Sequence, residues 1–212
     1  MRTSIVTKAL LAAMAVAPLL CHAESTVQTG AATSSPGATA HVDFQITIPK
    51  FLYLRVGTGS AYTTGAYAAN ATIDAITWAP TTAQVGDGTA IAGTGGDLPG
   101  GIETAAIVSN SGNVTLNATT TGQLTDGASD NISFGQITTT ASSNTTATVL
   151  PAPTLVDGAT SANIVINAPA SKVIKEDAKW AFAYANTTTP PAGTYGGVNT
   201  NNGRVVYTAT MP

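Results

Sequence analysis

From Val42 the chain alternates strictly: Val42, Phe44, Ile46 and Ile48 are apolar while Asp43, Gln45 and Thr47 are polar. A period of two sends the apolar set to one face of a β-strand. Pro49 interrupts the pattern, because a prolyl nitrogen cannot donate to a sheet ladder. Phe51 to Val56 resumes with apolar residues on both faces, as in a strand that lies between two sheets or passes from one to the other. Further short runs read as strands at Thr72 to Trp78, Ile102 to Ser109, Val114 to Thr119, Asn131 to Ile137, Asn163 to Asn167, Ala178 to Tyr184 and Arg204 to Met211. Trp180, Phe182 and Tyr184 alternate on one face of the last but one, a core pattern first and a sugar-binding platform second.

Turn residues punctuate these runs. Asn110-Ser111-Gly112-Asn113 is short enough to close a hairpin, and Asn201-Asn202-Gly203 tolerates the positive φ a turn needs before the final run. Helical spacing occurs at Lys172, Lys175, Glu176 and Lys179, and predicts at most a short turn or helix within Ala170 to Lys179. The glycine-dense Gly86 to Gly101 segment predicts a long surface loop. Short strands with turn signals between them predict an all-β fold, an Ig-like antiparallel β-sandwich of about 8–10 strands.

The ends add an export pattern. Arg2 and Lys8 precede an apolar run from Ala9 to Leu20, and Cys21-His22-Ala23 offers small residues for cleavage after Ala23. Lipidation of Cys21 is the rival reading, but Leu19-Leu20 lacks the small residue such a signal carries before its cysteine. The apolar run is too short for a stable span, so no membrane span is expected in the mature chain. The organisation read from the sequence is a signal peptide over 1–23, a flexible arm rich in Ser, Thr, Gly and Ala over 24–39, and one sandwich domain over 40–212. Export by the Sec route places the protein in the periplasm, on the cell surface or outside the cell. Cys21 is the single cysteine, so the mature chain is disulfide-free and must rely on packing and hydrogen bonds.

Charge narrows the partners. Beyond the signal only Lys50, Arg55, Lys172, Lys175, Lys179 and Arg204 oppose the eleven carboxylates, which argues against nucleic acid, whose binding requires clustered cations. Sparse charge with abundant Thr also argues against disorder and for half-buried pleated surfaces.

Candidate chemistry is thin. His41 is the only histidine beyond the signal, and no thiol remains to act as a nucleophile. No G-x-S-x-G elbow or phosphate loop occurs, and the glycines of Gly57-Thr58-Gly59 and Gly93-Thr94-Gly95-Gly96 miss the dinucleotide spacing. No cofactor is expected. Asp87, Asp97, Asp126 and Asp130 are weak calcium candidates whose plainer reading is turn formation, since none completes an EF-hand loop. A glycosidase-like carboxylate pair would need two of the acids to meet in space, and nothing in the sequence selects two. Tyr62 and Tyr67, in a Gly, Ala and Thr-rich stretch, are candidates for a contact surface. Val42, Phe44, Ile46 and Ile48 carry two readings, as a strand of their own domain or as a strand exchanged with a neighbour.

At the C-terminus Pro191-Ala192-Gly193-Thr194-Tyr195 leads to Gly203-Arg204-Val205-Val206-Tyr207-Thr208-Ala209. This resembles the A-G-T-Y turn and closing strand of bacterial fimbrial-type and spore-coat-U-like secreted β-sandwich proteins, over roughly the last twenty residues. The resemblance implies an Ig-like fold, secretion, and subunits assembled into surface fibres. The chain departs from it in ending Ala209-Thr210-Met211-Pro212, without a tyrosine next to the last residue. Together these readings predict a non-catalytic structural subunit of a pilus-like or extracellular-matrix fibre, whose partners are itself or homologous subunits paired through strands. The alternative is a monomeric secreted adhesive module for a glycan or host surface, and a hydrolase stands third.

Overall fold

In the computed structural model, residues 25–32, 37–58, 67 and 69–212 are described, and the chain divides into two units that meet in sequence between Ile48 and Pro49. In the first unit the described residues belong to no helix or strand, and 42–48, read from its alternation as a strand, pairs with nothing in a sheet. Val42, Phe44, Ile46 and Ile48 are 72%, 87%, 86% and 74% exposed. Pro49 supplies the physical reason for the break at this point: it cannot carry a ladder from residue 48 into the next run.

The second unit is all-β and sandwich-like. Its strands are β1 (Leu52–Val56), β2 (Ile76–Thr77), β3 (Ile91–Ala92), β4 (Thr94–Gly95), β5 (Ile102–Ser109), β6 (Val114–Thr120), β7 (Leu124–Thr125), β8 (Asn131–Ile132), β9 (Ile137–Ser142), β10 (Ile164–Ile166), β11 (Ile174–Tyr184) and β12 (Val205–Thr210). One sheet runs β1-β5-β11-β3, with β9 also on β11, and the other runs β10-β6-β12. Every pairing of named strands is antiparallel.

The core lies between the sheets. On β6 Val114, Leu116 and Ala118 are buried while Thr115, Asn117 and Thr119 are not, the alternation of a strand with one dry face. From the other sheet Ala105 and Ile107 of β5 and Ala178, Trp180 and Phe182 of β11 meet them, with Phe134, Leu150 and Leu155 closing the cluster. Each fully buried large apolar side chain contributes about 1.5–3 kcal/mol. The Trp180 and Tyr207 rings lie 5.3 Å apart across the two sheets, and the Trp180 indole N–H donates to the Leu150 carbonyl at 2.9 Å.

Three local expectations are corrected. The turn at Asn110 to Asn113 closes no hairpin, because β5 and β6 belong to different sheets. Its polar groups serve other segments: Asn110 accepts from the Phe51 amide at 2.9 Å and donates to the Pro49 carbonyl at 2.8 Å, and the Gly112 amide donates to the Lys172 carbonyl. The helical spacing at 170–179 is overridden, since β11 begins at Ile174 after a turn in which Lys172 takes φ +59. The 86–101 loop contains two strands, β3 on β11 and β4 on β2. Glycine permits that packing: a Cβ on Gly93 would lie 2.5 Å from Ile76 Cγ2, and one on Gly101 2.5 Å from Gly93 Cα.

Candidate binding groove

β12 pairs only with β6, and β1 only with β5, so among the described residues each is an edge strand. They converge at one end, where the Lys50 ammonium donates to the Pro212 carbonyl at 3.1 Å and the Ser109 hydroxyl to Met211 Sδ. Toward their other ends Val56 of β1 and Val205 and Tyr207 of β12 line a groove of about 870 Å³. Phe134, Ile137, Leu155, Phe182 and Tyr184 continue its wall, so side chains of the sandwich core border space that no described residue fills. Two buried polar atoms of groove residues, Trp78 Nε1 and the Tyr184 hydroxyl, have no hydrogen-bond partner among the described residues. Groups of this kind are rare in complete interiors.

One lip of the groove is the strip 72–78. Its alternation turns Asp74, Ile76 and Trp78 inward and leaves Ile73, Ala75 and Thr77 exposed, although only Ile76–Thr77 forms a ladder, with β4. The other lip is the 190–199 turn, in which the Tyr195 hydroxyl donates to the Pro191 carbonyl at 2.8 Å.

Asp74 brings a carboxylate against Glu103, the second residue of β5, which is 5% exposed. A Cβ at Gly57 would lie 2.6 Å from both Asp74 Oδ2 and Glu103 Oε2, so the two oxygens close over a glycine held at φ +77. The Thr58 amide donates to Asp74, and the Asp97 amide to Glu103 Oε2 at 3.3 Å. Burial pushes the Glu103 carboxyl up to about 7; the Asp97 N–H works against this, and the charges of Asp74 and Asp97 add to it. Asp74 Oδ2 and Glu103 Oε2 both lie within 2.6 Å of the Gly57 Cβ position, closer together than the about 6.5–9.5 Å that separates the carboxyls of an inverting glycosidase. Sequence reading selected no pair of acids. The available signal was their strand phase, since Asp74 shares a face with Ile76 and Trp78, and Glu103 with Ala105 and Ile107.

Of the other singled-out acids, three accept from backbone amides. Asp87 accepts from the Thr89 amide at 2.7 Å and from Asn186, and Asp97 from the Thr104 amide at 2.8 Å. Asp126 accepts from the amides of Ala128 and Asp130 at 2.8 and 3.2 Å. Among the described residues no group of three or more His, Cys, Asp or Glu is placed to hold a metal ion, and no helix is long and apolar enough to cross a membrane. Tyr67 packs its ring 5.3 Å from those of Phe51 and Tyr53, while Tyr62 lies outside the described residues.

No protein-family model, curated protein or solved structure matches this chain.

Proposed function

We propose that this chain is an exported, Ig-like structural subunit of a pilus-like or extracellular-matrix fibre, in which residues 42–48 of one copy fill the groove of another. The reading is carried by a complementarity. One part of the chain holds four exposed apolar residues at strand spacing, and another holds an apolar groove beside a strand edge that is unpaired among the described residues. Seven residues in strand conformation span about 23 Å, close to the roughly 20 Å of a six-residue strand such as β12. Four apolar side chains buried this way contribute on the order of 6–12 kcal/mol before the costs of ordering and association. Main-chain bonds to the β12 edge would add register, as in other strand-addition interfaces.

The unsatisfied Trp78 and Tyr184 groups support an incomplete interior. The Tyr195 to Pro191 bond supports the Ig-like reading, because a tyrosine bonded back to nearby backbone marks corners in such sandwiches. A monomeric glycan-binding module is favoured less, because Phe51, Tyr53 and Tyr67 pack against one another.

The test is negative-stain microscopy with size-exclusion light scattering on the chain from Glu24, compared with Ile46→Asp. Oligomers or fibres from the unaltered chain that collapse to folded monomers in the variant are expected. A monomer at every concentration from the unaltered chain would overturn the proposal.

A further inference from the structure

The inward carboxyl pair on the groove lip conflicts with the rest of its strip. Ile76 and Trp78 share the face of Asp74 and suit an apolar groove, whereas two carboxyls facing each other across Gly57 are disfavoured there unless one of them keeps its proton. Breaks of local consistency of this kind mark places where a protein uses the conflict. We propose that Asp74 and Glu103 form a proton-operated latch that holds the 72–78 lip closed over the groove and releases it when the shared proton leaves, so that pH sets how fast an occupant is exchanged.

This inference rests on the groove-filling reading above and adds its regulation. With the proton present, one carboxyl donates to the other and ties the strip to β5 over Gly57. With it absent, two like charges face each other in a poorly solvated site with little alternative but to move apart. Among the described residues the groups acting on Glu103 are Asp74 from the strip, Asp97 from the turn before β5 and Tyr207 from β12. None is a cation. Arg55 of β1 bonds the Thr104 hydroxyl on the opposite face of the sheet from Glu103, and Arg204 lines the groove at the start of β12. The raised affinity of Glu103 for its proton places the transition near neutrality. Only the strip can yield readily, since its ladder is two residues long and β5 is paired on both sides.

The experiment uses the chain from Glu24 with Phe44→Asp and Ile46→Asp, so that its own arm cannot compete, and a fluorescent peptide of residues 40–50 as the probe. Dissociation is expected to be roughly tenfold faster at about pH 8 than at about pH 5.5, a factor equal to one unit of proton affinity. In the same chain carrying Glu103→Gln, a neutral side chain that can always donate, the rate should stay at its low-pH value throughout. Hydrogen exchange of the 72–78 amides, corrected for intrinsic rates, reads the latch without any occupant. Protection there should fall at the higher pH and should not fall in Glu103→Gln or Asp74→Asn. Equal protection at both pH values, or the same pH dependence in both substitutions, overturns the latch. A peptide that binds at neither pH sinks the groove-filling reading instead, and the exchange data still decide the latch.

Discussion

Two buried acids show opposite solutions to the same problem. Burial works to raise Asp177, but hydrogen bonds from the Thr145 hydroxyl, the Thr146 amide and hydroxyl and the Thr145 amide outweigh it and bring the carboxyl down to about 2. Asn144 adds a further donor at 2.9 Å. Its folded value lies below its unfolded one, so its stabilisation is present above about pH 4 and is lost as pH falls through about 2. Glu103 has the reverse sign: the folded state keeps its proton, so stability is intact below its ordinary value of 4.5 and declines as pH rises through about 7. Asp177→Ala should therefore cost about 3 kcal/mol in urea denaturation at pH 7, because it leaves several donors of the 144–146 loop without an acceptor. Glu103→Gln should instead raise the urea midpoint at pH 8 and leave it nearly unchanged at pH 4.5. A loss of stability at pH 8 in that variant would show that the carboxylate is accommodated there without strain.

Most elements were legible where a run was long and flanked by turn residues, whereas 42–48, with the clearest alternation of all, joins no sheet among the described residues. Ile102–Ser109 was read to the residue, and β1, β6 and β12 lie within a residue of their expected bounds, because each is a run of five residues or more with β-branched or aromatic residues, bounded by turn residues. Strands of two residues, such as β3 and β4, have no period to detect; close glycine packing makes them. The turn at 110–113 was legible as a turn but not as a crossing between sheets, since turn chemistry records the local chain reversal and not which edge the next strand joins. The groove and its acid pair depend on two such non-local choices, which is why neither was visible. Gly101→Ala tests the element that glycine packing builds. A methyl would meet Gly93 backbone at 2.5 Å on a residue held at φ +69, so a loss of about 2 kcal/mol is expected. Hydrogen exchange should rise first at 91–95 and 76–77, where β3 and β4 make their ladders; uniform loosening of β5 and β6 would show that the glycine serves the whole sandwich.

At the scale of the molecule, a sandwich whose core side chains border a groove, with four exposed apolar residues elsewhere in the chain, is short of burial, and on the proposed reading a second copy supplies what is missing. Stability should then depend on an occupant as binding does on a ligand, by RT ln(1 + [L]/Kd). For the chain from Glu24 carrying Phe44→Asp and Ile46→Asp, a peptide of residues 40–50 at a hundred times its Kd should add about 2.7 kcal/mol to the unfolding free energy. On a sandwich of this size that corresponds to a rise in Tm of roughly 5–10 °C. A peptide with Asp at the positions of Phe44 and Ile46 should leave Tm where it was, since it keeps the main chain but not the apolar face. If both peptides raised Tm equally, main-chain pairing along β12 would be sufficient, and the groove would have no part in choosing its occupant. If neither did, the 42–48 segment would have some other partner, and the open side of the sandwich would have to be explained by one of different chemistry.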